Sequence, residues 1–254
     1  MTGRLAIVGT GPGAPELVTP LAAEALGAAT DLVGYAPYLA RVPERAGQVR
    51  HASDNREELA RARVALALAA TGKSVAVVSS GDPGVFAMAS AVFEAMEHGK
   101  PEWRDIDVSV IPGVSAMLAA AARAGAPLGH DFCVISLSDN LKPWDVVLKR
   151  LEAAAAADFV IVLYNPASKA RPWQLGEALK LIAQHRAGPT PVIFARAVGQ
   201  PDERIDITTL AEANAKSADM RTLIIVGSSA TRTVANGGRR QFVYTPRHAE
   251  LVES

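Results

Sequence analysis

Leu5-Ala-Ile-Val8 is an apolar run of strand length that breaks at once into Gly9-Thr-Gly-Pro-Gly13. The same event recurs twice. Val75-Ala-Val-Val78 runs into Ser79-Ser-Gly-Asp-Pro-Gly84, and Val108-Ser-Val-Ile111 runs into Pro112-Gly-Val-Ser-Ala116. Helical spacing follows each turn, and strand, tight turn and helix in repetition predict an α/β sheet. In open sheets of that kind ligands bind outside the carboxyl ends of the strands. Small residues there let a ligand approach the backbone, and the freed amides can donate hydrogen bonds. Three such turns at one sheet edge would make a cofactor cleft.

Outward from these turns, Thr19 is placed to cap a helix with Pro20 at its first position, ending near Gly27. A charged helix is expected from Asn55 to Ala70, with Leu59, Arg63, Leu66 and Ala70 at helical spacing. Asp82-Pro83 reads as the start of another, with Val85, Met88, Ala89 and Val92 on one face, and Ser115 to Arg123 as an Ala-rich fourth. Gly125-Ala-Pro-Leu-Gly129 reads as a linker, which divides the chain into domains 1–125 and 126–254. Beyond it come a strand at Phe132–Ser136, a helix from Pro143, a strand at Phe159–Tyr164 and a helix from Trp173 to Gln184. Ala153–Ala157 reads as a helix exterior. The last third holds short strands at Val192–Ala195, Glu203–Thr208, Leu223–Val226 and Gln241–Thr245, with little helix between them. That spacing predicts an antiparallel or mixed sheet.

A chain of 254 residues can bury one or two cores. Its formal net charge of zero, from 26 basic and 26 acidic residues, points to neither nucleic acid nor an anionic membrane. Arg239-Arg240 is the densest basic spot and reads as a solvated turn. The apolar runs are too short to span a bilayer, and Gly9 to Gly13 interrupts any secretory-signal core, so a soluble cytoplasmic protein is expected. One cysteine, Cys133, excludes an intrachain disulfide and a Cys-cluster metal site; its apolar neighbours predict an inert buried thiol. Five scattered histidines without an HExxH pattern give no metal site.

Several motifs admit two readings. Gly9-Thr-Gly11-Pro-Gly13-Ala14 matches a relaxed dinucleotide fingerprint, with Asp31 as the acidic ribose partner, but Pro12 and Pro15 remove donors from the loop. Asp82 and Ser115 either cap helices or line a pocket for a polar ligand. Asn165 either caps locally or contacts a ligand. His130-Asp131 is an acid–base pair or a polar turn, and Asp139 is a general base or a helix-entry residue.

Taken in order, these turns resemble the tetrapyrrole (corrin/porphyrin) methylases, a family that transfers methyl groups from S-adenosylmethionine. The resemblance runs through Gly9–Gly13 with Leu17-Val-Thr-Pro20, Gly81-Asp-Pro-Gly84, Pro112-Gly-Val-Ser-Ala116 and Thr222-Leu-Ile-Ile-Val-Gly227. More specific signals are Gly34-Tyr-Ala-Pro-Tyr-Leu39, Ile135-Ser-Leu-Ser-Asp139 with Pro143-Trp144, Leu163-Tyr-Asn-Pro166 with Ser168-Lys169 and Arg171, and Thr245-Pro-Arg247. In the Ser138–Trp144 segment, Asn140 and Lys142 replace less polar family residues.

The resemblance implies two α/β domains, an N-terminal mostly parallel sheet and a C-terminal mixed sheet, with a cofactor cleft between them in a homodimer. It implies that Pro12, Gly81, Asp82, Val85, Ser115 and Ala116 bind S-adenosylmethionine (product S-adenosylhomocysteine) from the N-terminal side. Tyr164, Asn165, Arg196, Ala197, Thr222 and Leu223 would do so from the other. Gly9, Gly11, Gly13 and Tyr35 would face a tetrapyrrole substrate, with Arg41, Lys142 and Arg247 near its carboxylates. Methylation at C17 with contraction of the macrocycle, in cobalamin biosynthesis, is the implied reaction. Asp139, His130 and Asp131 are its acid–base candidates. Another S-adenosylmethionine-dependent tetrapyrrole or diphthamide-type methylase with a different acceptor, a nicotinamide-dependent oxidoreductase and a non-catalytic tetrapyrrole carrier are the alternatives.

Overall fold

The computed structural model describes residues 3–55, 57–168, 170–238 and 240–248. The chain divides into two units, one running to Ala116 and the other from Met117. The first holds β1 (Arg4–Gly9), α1 (Pro20–Ala28), β2 (Asp31–Tyr35), α2 (Ala36–Leu39), β3 (Val49–Ser53), α3 (Glu58–Ala70), β4 (Ser74–Ser79), α4 (Met88–Glu97) and β5 (Asp107–Ile111). Its five strands are all parallel, in the order β3-β2-β4-β1-β5. Alternate residues of the central strands serve opposite faces. Leu5, Ile7, Val75 and Val77 pack with α3 and α4, while Val8, Leu32, Ala76 and Val78 pack with α1. The register Gly9↔Ser79 and Val8↔Ile111 brings the ends of β1, β4 and β5 level, so the three glycine turns do emerge at one edge.

The second unit holds α5 (Ala116–Ala124, whose first residue is the last of the first unit), β6 (Gly125–Ala126), β7 (Phe132–Ser136), α6 (Trp144–Ala156), β8 (Val160–Tyr164) and α7 (Gln174–Ile182). It continues through β9 (Pro191–Arg196), β10 (Arg204–Thr209), β11 (Thr222–Val226), β12 (Arg232–Asn236) and β13 (Arg240–Tyr244). The main sheet runs β10-β9-β11-β8-β7 and is mixed: β7 and β8 are parallel, every other pair antiparallel. A second, three-stranded sheet has the order β12-β13-β6, with β12 and β13 antiparallel and β13 and β6 parallel. The core gathers Leu137, Val147, Leu151, Ile161, Leu163, Leu175, Ile182 and Ile224, all fully buried. No described helix is long and apolar enough to cross a membrane.

Several expectations are corrected. Gly125–Gly129 is not a linker: Gly125 and Ala126 pair with Val243 and Tyr244, and Thr245 N donates to the Ala126 carbonyl at 3.1 Å, so this segment lies inside the second unit. The buried face of α3 is Arg61, Ala62, Ala65, Leu66 and Ala69, while Leu59, Arg63 and Ala70 are exposed. Small alanines let α3 lie close to its neighbours, and Arg61 is buried because Ser53 Oγ and the Asp54 carbonyl, each at 2.7 Å, take its donors. Ala154 and Ala155 are core, not exterior. Of the expected Arg239-Arg240 turn, Arg240 opens β13 and Arg239 lies outside the described residues, as does Lys169. Cys133 is half-buried, and burial pushes its thiol up to about 11, away from the reactive thiolate.

Candidate functional site

At the carboxyl edge of the first unit, three loops meet backbone to backbone. Gly11 and Gly81 form an antiparallel bridge, with N–H···O distances of 3.2 and 2.7 Å, and both have positive φ (72° and 66°). Thr10 N and Oγ1 both donate to the Ser79 carbonyl, at 2.9 and 3.0 Å. A Cβ on Gly113 would lie 2.2 Å from Gly81 O and 2.7 Å from Gly9 C, so only glycine lets the β1, β4 and β5 loops touch here. Gly9 and Gly11 are buried in this packing, and Pro12 is buried too; Gly13 is half-exposed.

Asp82 does not cap a helix, since α4 begins six residues later. Its Oδ1 accepts from Gly84 N at 2.8 Å and its Oδ2 from Gly113 N at 3.1 Å, tying the β4 loop to the β5 loop. Gly81 faces Ser115 and Ala116: a Cβ there would sit 3.9 Å from Ser115 Cα and from Ala116 N. Gly81, Asp82, Ser115 and Ala116 therefore form one continuous surface, with Ser115 buried and the others half-exposed. Beside it at the end of β2, Tyr35 packs edge-on against Tyr38 at 5.1 Å, and Arg41 lies over the Tyr38 ring at 5.3 Å.

The dinucleotide reading does not survive this geometry. After β1 the chain takes ten residues, including a 3-10 turn at Pro15–Leu17, before α1 starts at Pro20. The Gly9–Gly13 loop therefore does not open directly into a helix N-terminus, as a bound pyrophosphate would need. Asp31 begins β2 and does not end it. It is buried against Lys73 Nζ (2.9 Å), His51 Nε2 (2.8 Å) and Thr30 Oγ1 (2.8 Å).

In the second unit, the carboxyl ends of β7, β8 and β9 and the amino end of β11 fall on one edge. Ser136 is level with Tyr164, Thr222 with Arg196 and Leu223 with Ala195. Tyr164, Asn165, Arg196, Ala197, Thr222 and Leu223 are thus brought together. Tyr164 OH accepts from Met117 N at 3.1 Å, and Asn165 Nδ2 donates to Ser136 Oγ at 2.9 Å. Arg196 is engaged internally, its Nε on Asp219 and its Nη1 on Asp202, both at 2.8 Å. Hydrogen bonds from Arg221 and then Arg196 hold the Asp202 carboxyl well below the usual carboxylate range. Backbone strain marks the same loops. Asn165 (φ 53°) and Ala197 (φ 51°), like Phe86 (φ 51°) after β4, are non-glycine residues in the left-handed region.

The acid–base candidates do not come together. Asp139 follows the carboxyl end of β7 and pairs with Arg171 Nη1, which also meets Asn140 Oδ1. His130 and Asp131 precede the amino end of that strand, about 17 Å away by strand rise. His130 Nδ1 accepts from the Asp131 backbone N–H at 2.8 Å, while the Asp131 carboxylate is solvent-exposed. Of the cations, Lys142 is half-buried, and burial with Arg150 nearby pulls its pKa down; Arg247 is exposed after β13. Arg171 and Gly113 carry geometry that had no assigned role. Gly113 has a Pro-Gly signal, whereas Arg171 is 32 residues from its partner Asp139, beyond any local pattern.

The model of the Tetrapyrrole (Corrin/Porphyrin) Methylases matches residues 4–214. The chain is 60% identical over 247 residues to a precorrin-3B C(17)-methyltransferase of Sinorhizobium sp, covering 97% of each. Its fold is similar to that of the methyltransferase CobJ, with TM-score 0.91 and 51% identity over 96% of this chain and all of that one. It is also similar to a uroporphyrin-III C-methyltransferase from Thermus thermophilus complexed with S-adenosylhomocysteine, with TM-score 0.66 and 25% identity over 89% of this chain and 97% of that one.

Proposed function

The chain belongs to the tetrapyrrole (corrin/porphyrin) methylase family, and from that membership we propose that it methylates C17 of precorrin-3B in cobalamin biosynthesis, with S-adenosylmethionine as donor. Its setting in this reading is the cytoplasm, as a homodimer. The observation that carries the reading is the likeness to the Sinorhizobium enzyme across nearly the whole of both chains.

The residues fit the donor. The Gly81–Asp82–Ser115–Ala116 surface is backbone-rich and small, and at Gly81 an added Cβ meets nothing closer than 3.9 Å. When bound, S-adenosylmethionine supplies an electrophilic methyl group, so the chain needs no activated serine or cysteine. What the chain contributes is position. Asp82 fixes two loops relative to each other, and Pro12, Val85, Ser115 and Ala116 line the same unit. Tyr164, Asn165, Arg196, Ala197, Thr222 and Leu223 form the corresponding set in the second unit. Arg196, whose side chain is engaged by two carboxylates, acts in this reading through its backbone. Gly13, Tyr35, Arg41, Lys142 and Arg247 are assigned to the tetrapyrrole, and Gly9 and Gly11 to shaping the loop beneath it.

Ring contraction moves protons, and Asp139 is the candidate that stands on the same edge as Tyr164 and Asn165. Asp139→Asn is expected to slow turnover by about a hundredfold with unchanged affinity for S-adenosylhomocysteine. Unaltered turnover would remove Asp139 from the chemistry.

Calorimetric titration of the purified chain with S-adenosylhomocysteine and, separately, with NADH tests the reading. Binding of the first alone at about micromolar Kd, a typical cofactor-range affinity, is expected, followed by methyl transfer only when precorrin-3B is supplied. Binding of NADH alone overturns it.

A further inference from the structure

Among the described residues, three buried side-chain donors on one short stretch have no acceptor: Ser168 Oγ, Arg171 Nε and Gln174 Nε2. Buried polar groups in folded chains are nearly always paired, and here every one of the three can donate, so the missing chemistry is an acceptor oxygen. Ser168 and Arg171 face each other across an antiparallel bridge, with N–H···O distances of 3.2 and 3.0 Å. Directly opposed residues of such a pair share a face. Gln174, 1% exposed, opens α7 on the same stretch.

Arg171 already holds acceptors of the right kind through Nη1, the Asp139 carboxylate and the Asn140 amide oxygen. The segment that delivers them is lightly held. Ser138 N reaches Ser136 Oγ at 3.3 Å, Asn140 N reaches Ser138 Oγ only at 3.5 Å, and Leu141 is fully exposed. A segment with so few contacts opens at small cost. Lys142 is the other charged group on it, and Glu177, the nearest further carboxylate named on α7, is engaged with Trp144 Nε1 at 2.8 Å.

We propose that Arg171, assisted by Ser168, binds a carboxylate arm of the tetrapyrrole, and that Asp139 occupies the guanidinium until the substrate's carboxylate displaces it. This rests on the tetrapyrrole reading of the function. The exchange keeps the charge of Arg171 compensated throughout, and it turns one-sided pairing through Nη1 into the two-pronged grip that a guanidinium gives a carboxylate. It brings an acceptor to Nε and to Ser168 Oγ. It also frees the Asp139 carboxylate only once substrate is in place, on the edge where Tyr164 and Asn165 stand. Leu141 and Trp173, the latter 42% exposed and edge-on to Trp144 at 5.1 Å, are the exposed large apolar side chains on the two segments.

The test is fluorescence titration with uroporphyrin III, a stable tetrapyrrole bearing eight carboxylates. Arg171→Ala is expected to weaken binding by at least about tenfold, with Arg171→Lys intermediate and the milder Ser168→Ala about threefold. Asp139→Asn removes the internal competitor and is expected to bind the porphyrin more tightly than the native chain, a gain that a merely structural role for the pair would not produce. Unchanged S-adenosylhomocysteine affinity certifies that each variant is folded. Equal porphyrin affinity in Arg171→Ala and the native chain, or weaker binding by Asp139→Asn, overturns the proposal. A native chain that binds no porphyrin also overturns it; if that chain transfers no methyl group either, the proposed function falls with it.

Discussion

Gly113→Ala is expected to lose about ten- to a hundredfold in S-adenosylhomocysteine affinity, the equivalent of about 1–3 kcal/mol of overpacking felt at the site. The added methyl would sit 2.2 Å from the Gly81 carbonyl oxygen and 2.7 Å from the Gly9 carbonyl carbon. Both neighbours are backbone, so no side chain can rotate to make room. The β4 and β5 loops must part, which breaks the Gly113 N–Asp82 Oδ2 bond and strains the Gly11–Gly81 bridge. Overpacking of this kind costs about 1–3 kcal/mol, which leaves the chain folded while the Gly81–Ser115–Ala116 surface loses its shape. Gly176→Ala is the control: its methyl would meet only Ala215 Cβ at 3.9 Å inside α7, and a helical Gly→Ala change is neutral or stabilising. Calorimetry on the two variants decides the matter. Native affinity in Gly113→Ala would mean that the three-loop contact does not shape the cofactor surface.

The same contact shows what could be read in advance and what could not. Strand, glycine turn and helix are local signals, so β1, β4 and β5 were legible, as was the Thr19 cap, whose Oγ1 accepts from Ala22 N at 3.1 Å. That the turns converge was legible from the α/β pattern. That Gly9, Gly81 and Gly113 touch was not, because the contact joins positions far apart in sequence. β3 is not legible in the sequence because Val-Arg-His-Ala-Ser carries no apolar alternation. Its polar side chains are satisfied by tertiary partners, Arg50 by the carbonyls of Leu39 and Val42, each at 2.8 Å, and His51 by Asp31. β12 is not legible for a related reason: all five of its residues are exposed, so burial leaves no imprint on their chemistry. β6 is two residues long and exists only through β13. The helix expected at Asp82-Pro83 begins instead at Met88, because Asp82 spends its carboxylate on loop amides.

The candidate site divides along the same line. Residues on strand ends were legible by motif and do fall on common edges within each unit. Roles that depend on side-chain partners were not. Arg196 is implied by the resemblance to bind the cofactor, and in the fold its side chain is held by Asp202 and Asp219. His130-Asp131 reads as an acid–base pair or a polar turn, and in the fold the ring Nδ1 accepts from the Asp131 backbone N–H at 2.8 Å and lies 3.7 Å from the exposed Asp131 carboxylate. Asp139 and Arg171, the pairing with the most chemical content, are joined only by folding.

Asp31→Asn is expected to destabilise the chain by about 3 kcal/mol, the lower end of the range for breaking a buried ion pair, because Lys73 (43% exposed) can turn to water. The carboxylate itself is 2% exposed. Burial alone would raise its pKa, but hydrogen bonds from Lys73, His51 and Thr30 outweigh that and hold it at about 2, against 3.8 for the free side chain. The unfolded chain therefore takes up this proton more readily than the folded one. Stability from Asp31 is fully present above about pH 4 and is lost as pH falls toward 2, a contribution of about 2 kcal/mol from the linkage between protonation and folding. Thermal unfolding of both proteins across pH 2–7 measures it. The native chain should melt about 5–10 °C above the variant at pH 6, and about two thirds of that gap should be lost as pH falls from about 4 to 2. Affinity for S-adenosylhomocysteine should be the same in both, because Asp31 stands at the amino end of β2, the edge opposite the glycine turns. A constant melting gap down to pH 2 would show that Asp31 acts through shape and not through charge. A variant that melts normally but loses ligand binding would move Asp31 to the functional edge and revive the acidic-partner role that its place in the fold denies it.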